Sequence, residues 1–498
     1  MRISDDRLIW ILPVVAGLVM LLPQWPGLID LPGHVARYHV ELDLQQNELL
    51  QRYYSFHWRL LPNLGIDLLI YPMARLFGFE WAVRLCVALI PALSVAGMLA
   101  LARVTYGRIP ATAFVALPCA FAYPLVFGFV NYCFSAALAL LFAAGWLYLT
   151  LARRLWARLC FGVIVSPVLF IAHLTGWGLF GVTAFGMVVA AERPSGLKKA
   201  VAGGIFACLP LAWPILLMFA GSSGAPGVTQ GWPDLNNVAR HSIGMLREQF
   251  AVLDVPSVLL LFATALAPVI ARRRFAYEPL LLLPALLLWV MVLVLPAMVL
   301  GSAFANVRLI PCAMVLTILA VRPLAPSSAL IIFACAFFVF RLAVTATALL
   351  SFDAVAQRQL RALDHIRPGS RVLGFRMHEC ARSWAPPRSQ NLTLLATARR
   401  DVLTNGHWAE AGAQLMSLDD QAFRKLALFK GNAVVSAPCR RWALPVLSDV
   451  LADKALTGFD YVWLLDVPDR NQPRDRRLRL IWKDRGSAVY AVVRLQAS

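Results

Sequence analysis

A chain of 498 residues that is 60% hydrophobic and only 15% charged, with a mean hydropathy of +0.68, lies outside the composition of soluble globular proteins and reads as an integral membrane protein. Its formal charge of +19 invites a nucleic-acid partner, and the placement of that charge argues against one. Outside the C-terminal third the basic residues sit in short loops between apolar runs, at Arg103 and Arg108, at Arg153, Arg154 and Arg158, at Arg193, Lys198 and Lys199, at Arg272, Arg273 and Arg274, and at Arg322. That is the positive-inside pattern, and it assigns those loops to the cytoplasm.

A bilayer core of roughly 30 Å takes about 20 apolar residues per helix. The first apolar run, residues 8–23, reaches this with slightly extended ends; it has no small-residue cleavage site and is expected to be a retained helix, not a signal peptide. The polar stretch LIDLPGHVARYHVEL, residues 28–42, then begins an outer loop over 24–79, and a second span returns the chain to the first basic loop. With every basic loop cytoplasmic, each interval between them holds an even number of crossings. Residues 109–152 are therefore expected to hold two helices turning near Asn131 and Tyr132, and 159–191 two short helices turning near His173 and Thr175. Residues 200–271 cross out and back around a polar excursion at 221–253, and 278–321 turn near Gly301 and Ser302. A last span, about 327–350, carries the chain out again. The expectation is a polytopic transmembrane domain over 1–350, with eleven helices, a cytoplasmic N-terminus and outer loops at 24–79 and 221–253.

Residues 351–498 are expected to form an extracytoplasmic α/β domain. FDAVAQRQLRALDHI and SLDDQAFRKLAL have helical spacing, whereas RVLGF, NAVVSAP, FDYVWLLDV, LRLIWKDRG and SAVYAVVRL read as strands, the last two joined by a turn at Arg485 and Gly486. No internal repeat is visible. Most of the nine cysteines fall in apolar spans, where they act as small hydrophobes; Cys380 and Cys439 fall in the outer domain, where an oxidising compartment permits a disulfide.

The opening polar stretch carries the first candidate chemistry. Asp30 stands where helix one leaves the membrane, Pro32 suits the first turn of a new helix, and His34, Arg37 and Glu41, spaced i, i+3 and i+7, share one face. Two readings stand side by side. Either Asp30 caps a helix with a solvated face, or its carboxylate meets the head group of a lipid-linked substrate. Sugar transfer from a lipid phosphate needs a base for the acceptor hydroxyl and positive charge for the departing phosphate. Asp30, with His34 beside it, is the candidate base or metal ligand, and Arg37 or Arg59 the candidate phosphate holder. The cofactor is left open: a divalent cation, Mg or Mn, on Asp30 and His34 is one option, though two ligands make a weak metal signal.

Further along, Arg308 lies about one turn inside the outer end of helix ten, where a charge is costly; it either binds the lipid phosphate or snorkels to the head groups. His173 either lines the site or is a structural histidine at its turn. Arg341, deeper in helix eleven, calls for a helix C-terminus or an unidentified acid. The excursion GSSGAPGVTQGWPDLNNVARHSIGMLREQF reads either as a mobile lid with Trp232, Arg240 and His241 facing substrate or as a surface linker with a short interfacial helix. Tyr53, Tyr54, Phe56 and Trp58 either stack on a sugar ring or anchor at the interface. His378, Glu379 and Cys380 lack the ligand spacing of a zinc site, and NLT at 391–393 matches a glycosylation sequon without meaning in a bacterium.

The layout, with DLPGHVARY (30–38), LPNLGIDLLIYPMARLFG (61–78), NVRLIP (306–311), FDYVWLL (459–465) and GSAVYAVVRL (486–495), resembles bacterial multi-pass members of the GT-C superfamily of polyprenyl-phosphate-dependent glycosyltransferases. The resemblance implies an enzyme of the bacterial inner membrane that moves a sugar from a polyprenyl-phosphate donor to a lipid, glycan or protein acceptor at the outer face. It also implies a catalytic or metal-binding acid in the first outer loop, and only Asp30 stands in that place. Many members have two acids adjacent or one apart, whereas Leu31 and Pro32 follow Asp30 here. That departure weakens the case for a metal and leaves His34 as the second polar group. A transporter or lipid flippase is the alternative; it would favour inverted repeats and a site near the midplane.

Overall fold

The computed structural model describes residues 8–217, 228–381, 383–408, 414–418, 431–440 and 443–493. The chain divides into two compact units, Met1–Leu22 with Leu60–Ala348, and Pro23–Arg59 with Leu349–Ser498.

Six helices are long and apolar enough to cross a membrane: Phe79–Tyr106, Val130–Leu151, Leu155–Ala172, Leu174–Ser195, Ala251–Ile270 and Ser328–His365. Four shorter apolar helices, Ile11–Leu21, Ala111–Phe127, Pro279–Val294 and Val307–Leu319, stand between them. Among the described residues these, together with Leu197–Cys208, occupy the eleven positions expected from loop parity. The turn expected near Asn131 lies slightly earlier, at Gly128, whose φ of +87° suits a residue without a Cβ. The 159–191 pair is longer than expected, because its first helix begins at Leu155, directly after Arg154.

Small residues let these helices approach closely. A Cβ on Gly97 of Phe79–Tyr106 would sit 2.9 Å from the backbone nitrogen of Leu141 in Val130–Leu151. At one end of the bundle, turns expected to be cytoplasmic meet: Phe275–Tyr277 pairs antiparallel with Val321–Pro323, and the Tyr106 hydroxyl donates to the Leu319 carbonyl at 2.7 Å. Elsewhere, segments expected to be outer meet. Leu64 N donates to Ile171 O (2.8 Å) and Leu174 N to Pro62 O (2.9 Å). The Asn131 amide accepts from Ile66 N (2.7 Å) and donates to Asp67 Oδ2 (2.9 Å), so it satisfies an orphan donor at the start of the Gly65–Phe77 helix and a buried carboxylate together.

The acid that Arg341 calls for is Asp254, in the first turn of Ala251–Ile270. Arg341 Nη1 and Asp254 Oδ1 lie 2.8 Å apart with side chains 3% and 0% exposed. Arg341 Nη2 also donates to Leu246 O (2.9 Å), Glu248 N donates to Asp254 Oδ2 (2.9 Å), and the Thr345 hydroxyl donates to Glu248 Oε1 (3.0 Å).

In the second unit the strands run in the order Leu478–Asp484, Ser487–Val492, Tyr461–Leu465, Arg371–His378. Leu403–Thr404 then pairs with the first half of Arg371–His378 and Ala433–Val435 with its second half. Tyr461–Leu465 and both of these short strands are parallel to Arg371–His378, while Ser487–Val492 and Leu478–Asp484 are antiparallel to their neighbours. All five expected strands are present. The expected turn is there too, with Arg485 and Gly486 both at positive φ, the geometry of a two-residue hairpin. The expected helix SLDDQAFRKLAL lies outside the described residues beyond Ser417 and Leu418, which end a strand, Met416–Leu418. Cys380 and Cys439 are joined by a disulfide with Cα atoms 5.9 Å apart.

The opening polar stretch is part of this second unit. Tyr54–Phe56 pairs antiparallel with Met416–Leu418, and Val40, Leu50, Tyr53 and Tyr54 enter the same hydrophobic core as Leu373, Phe375, Val462 and Leu464. The solvated-face reading of 31–43 therefore fails: Leu31–Asp43 buries Leu31, Pro32, Gly33, Val35, Ala36, Arg37, Tyr38 and Val40. Tyr53 and Tyr54 are core residues, neither sugar platforms nor interfacial anchors, with hydroxyls donating to Gly369 O (2.7 Å) and Val402 O (3.1 Å). Phe56 packs partly buried against that core, and Trp58 is 53% exposed.

Removing one partner of a buried ion pair leaves an uncompensated charge. Arg341→Leu alone is expected to destabilise the protein by roughly 3–5 kcal/mol, read by thermal unfolding in detergent. Arg341→Leu with Asp254→Leu is expected to recover a large part of that loss.

Candidate functional site

The second unit gathers polar groups around the first turn of Leu31–Asp43. Asp30 occupies the N-cap position, yet its side chain makes no cap bond. The carboxylate, partly exposed, instead accepts from Asn391 Nδ2 at 3.0 Å, and the same nitrogen donates to Ile29 O at 3.1 Å. Arg388 Nη1 donates to Gly27 O at 2.7 Å, fixing the approach to the helix. Neither contact was legible in the sequence, where Asn391 stood out only as a sequon. The His34 ring lies 5.7 Å from Trp408 and 6.1 Å from Tyr38. Buried Arg37 donates to Gln414 Oε1 (3.0 Å), and Arg59 donates to the Gln414 carbonyl (2.6 Å), so both candidate phosphate holders converge on one residue.

His39, on the same helix, lies 2.7 Å from Asp401 Oδ1 and 3.0 Å from Asp43 Oδ2. The contact with Asp401, the left-handed cap of the Leu395–Arg400 helix, pins the two helices together. The loop after Leu403–Thr404 is held as firmly. Asn405 accepts from Gly374 N (2.7 Å) and donates to Gly374 O (3.0 Å). Half-buried His407 places Nε2 within 3.0 Å of the Tyr54 and Thr404 hydroxyls and 3.1 Å of the Thr397 hydroxyl. The Asn-Gly pair at 405–406 signals a turn; nothing in the sequence signals what His407 reaches.

The first unit has its own constellation. Arg308 is 6% exposed, with its guanidinium carbon 3.9 Å from the Phe129 ring centroid and 5.7 Å from that of Tyr132, a cation–π arrangement. Nη1 donates to the Ser302 hydroxyl at 3.1 Å. The Tyr132 hydroxyl donates to the Arg308 carbonyl (2.7 Å), and the Tyr123 hydroxyl to the neighbouring Val307 carbonyl. The His173 ring lies 5.6 Å from Tyr132, while its Nδ1 accepts from Thr175 N (3.1 Å) and so caps Leu174–Glu192. His241 is 5.0 Å from Tyr123 and 5.8 Å from Phe304, which in turn packs on Phe129.

Arg308, His173 and His241 are thus brought into one aromatic cluster. Trp232 is 84% exposed, and Arg240 turns back to Asn236 O (3.2 Å) and Asp234 (3.9 Å) on its own helix. The described part of the excursion is tied down: Gln230 and Met298 exchange backbone hydrogen bonds, and Gly301 N donates to Val228 O. Residues 218–227 lie outside the described range. Beside the cluster and sharing Tyr132 with it is a small cavity, lined mainly by apolar residues such as Met98, Leu125, Leu140 and Val315.

Among the described residues no three His, Cys, Asp or Glu side chains come together as a metal site. One carboxylate engaged by Asn391, with a histidine one turn on, does not match the oxygen-rich set that Mg or Mn favours.

No family model and no curated protein matches the chain. The structure is similar to ArnT from Cupriavidus metallidurans in the apo state, with a TM-score of 0.52 and 13% identity over 99% of this chain and 98% of that one. The structure of ArnT from the same organism bound to undecaprenyl phosphate aligns over 98% of both chains, with a TM-score of 0.49 and 14% identity. At such identity the likeness establishes the fold alone: a polytopic helical membrane protein with an ArnT-like fold and a C-terminal α/β domain.

Burial pushes the His407 imidazole down to about 4 from its usual 6.5. The folded protein therefore refuses a proton that the unfolded chain accepts below pH 6.5, so the stability present above that pH is lost as the pH falls toward 4. The loss should approach about 3 kcal/mol. Thermal unfolding of the wild type across this window is expected to fall more steeply than that of His407→Gln.

Proposed function

We propose that the protein is a membrane glycosyltransferase that moves a sugar from a polyprenyl-phosphate donor to an acceptor hydroxyl at the outer face of a bacterial inner membrane. The observation that carries this reading is Arg308: a guanidinium buried on aromatic faces, beside a mostly apolar cavity. A cation kept out of water next to apolar space suits an amphiphile with an anionic head and a hydrocarbon tail. The fold shared with ArnT along nearly the whole chain agrees with it, although fold alone does not assign chemistry.

In the transfer, the acceptor oxygen forms a bond to the anomeric carbon as the bond from that carbon to the phosphate oxygen breaks. The acceptor proton goes to a base, and the electron pair leaves with the lipid phosphate. Asp30 is the base, its carboxylate oriented by Asn391, and His34 is the polar group beside it. In the first unit, Arg308 supplies positive charge for a lipid phosphate, with His173 and His241 in the same aromatic cluster. Arg37 and Arg59, joined through Gln414, are the substrate-binding cations of the second unit. Trp232 and Arg240 take no part in this reading.

The topology assigned with it puts the basic loops and the N-terminus in the cytoplasm and the C-terminal domain outside. The Cys380–Cys439 disulfide supports an oxidising compartment for that domain.

The test is transfer from a panel of undecaprenyl-phosphate-linked sugars by the protein in nanodiscs. Asp30→Asn should lower kcat by about 10²–10⁴, the range of general base catalysis, while unfolding at the wild-type temperature; unimpaired turnover would remove Asp30 from the chemistry. Arg308→Ala should weaken binding of the lipid donor roughly 10- to 100-fold, the scale of a charge-assisted hydrogen bond, with Arg308→Lys in between. Unchanged donor affinity would leave Arg308 a structural residue.

A further inference from the structure

We propose that Trp408 is a stacking platform for the apolar face of a sugar ring at the Asp30 site. This deepens the glycosyltransferase reading and rests on it for the identity of the reaction, though not for the binding itself. Among the described residues of the second unit, Trp408 and Trp58 are the exposed tryptophans, 37% and 53%. Trp408 is the one that adjoins the candidate chemistry.

The indole lies on the first turn of Leu31–Asp43. A Cβ on Gly33 would be 2.7 Å from Trp408 Cζ3 and 3.0 Å from Cη2, so the helix surface is flat only because that residue is glycine. On either side of Gly33 in sequence stand Asp30, the helix N-cap, and His34, whose ring lies 5.7 Å from the indole. The platform and the polar groups therefore belong to one helix turn.

The loop is built to hold that ring still. Asn405 clamps both backbone groups of Gly374. Gly406 has φ +87°, and a Cβ there would collide with the buried Asn432 amide. His407, the residue next to the tryptophan, is locked under three hydroxyls. Three consecutive residues are thus spent on fixing the backbone just before a partly exposed indole, so little ordering remains to be done when a ligand arrives. A hydrophobic residue serving only the core needs no such framework, because burial alone would hold it.

The chemistry selects a sugar. An indole face carries negative quadrupole density, and the axial C–H bonds on one face of a pyranose are apolar and weakly positive. Ring stacking leaves the sugar hydroxyls at the rim, where a carboxylate and an imidazole can receive them. The stacked ring is either that of the lipid-linked donor or that of a glycan acceptor.

Saturation-transfer NMR on the full-length protein in nanodiscs, with a panel of methyl pyranosides as the probe, tests this. At least one pyranoside should receive saturation on its C–H face in the wild type. Trp408→Ala should weaken that binding roughly ten-fold, and Trp408→Phe should retain most of it, as expected for an aromatic stacking contribution. Loss of the signal on adding an undecaprenyl-phosphate-linked sugar, but not undecaprenyl phosphate alone, identifies the donor ring as the occupant; persistence with both identifies the acceptor ring. No pyranoside signal in the wild type, or an undiminished signal in Trp408→Ala, overturns the platform. Trp408-dependent binding in a protein that transfers no sugar would overturn the transferase reading and leave the platform standing.

Discussion

A charge taken out of water must be compensated where it sits, and in a chain this apolar that constraint organises the polar interior of the first unit. Arg341 is met by Asp254, with Glu248 and Thr345 extending the network. Asp67 is met by Asn131, which also satisfies the start of the Gly65–Phe77 helix. Arg308 has Ser302 and the faces of Phe129 and Tyr132 around it. The first two arrangements join neighbouring segments and read as scaffolding. In the third a cation rests on the faces of two aromatic rings.

The second unit solves a different problem, that of presenting polar groups from a short helix without letting it fray. Leu31–Asp43 has eight buried residues of thirteen; it is pinned through His39 to Asp401 and through Arg37 to Gln414. Asp30 is then free of the capping duty its position suggests, because Asn391 holds the carboxylate from outside the helix. A side chain oriented by a neighbouring element rather than by its own backbone keeps its geometry when the helix end breathes.

The two halves of the candidate chemistry were unequally legible. Asp30, His34 and Arg37 could be singled out because three helix-spaced polar residues directly after an apolar run are conspicuous, and Arg308 because a charge inside an apolar span is. Asn391, Gln414 and Trp408 could not. Each sits in a stretch whose local pattern is an ordinary turn or short helix, and each acquires its meaning only by touching residue 30, 37 or 33.

By itself, the sequence determined the membrane class, the eleven apolar positions, the grouping of basic loops and the strands of the C-terminal sheet. These follow from hydropathy, charge and alternation along the chain, properties that a short window of residues carries in full. Only the tertiary structure decided that residues 23–59 fold with the C-terminal domain, that Asp254 is the partner of Arg341, and that an indole lies against Gly33. The physical reason is that such pairings are fixed by packing between segments distant in sequence, where which face meets which depends on side chains that a one-dimensional periodicity does not relate.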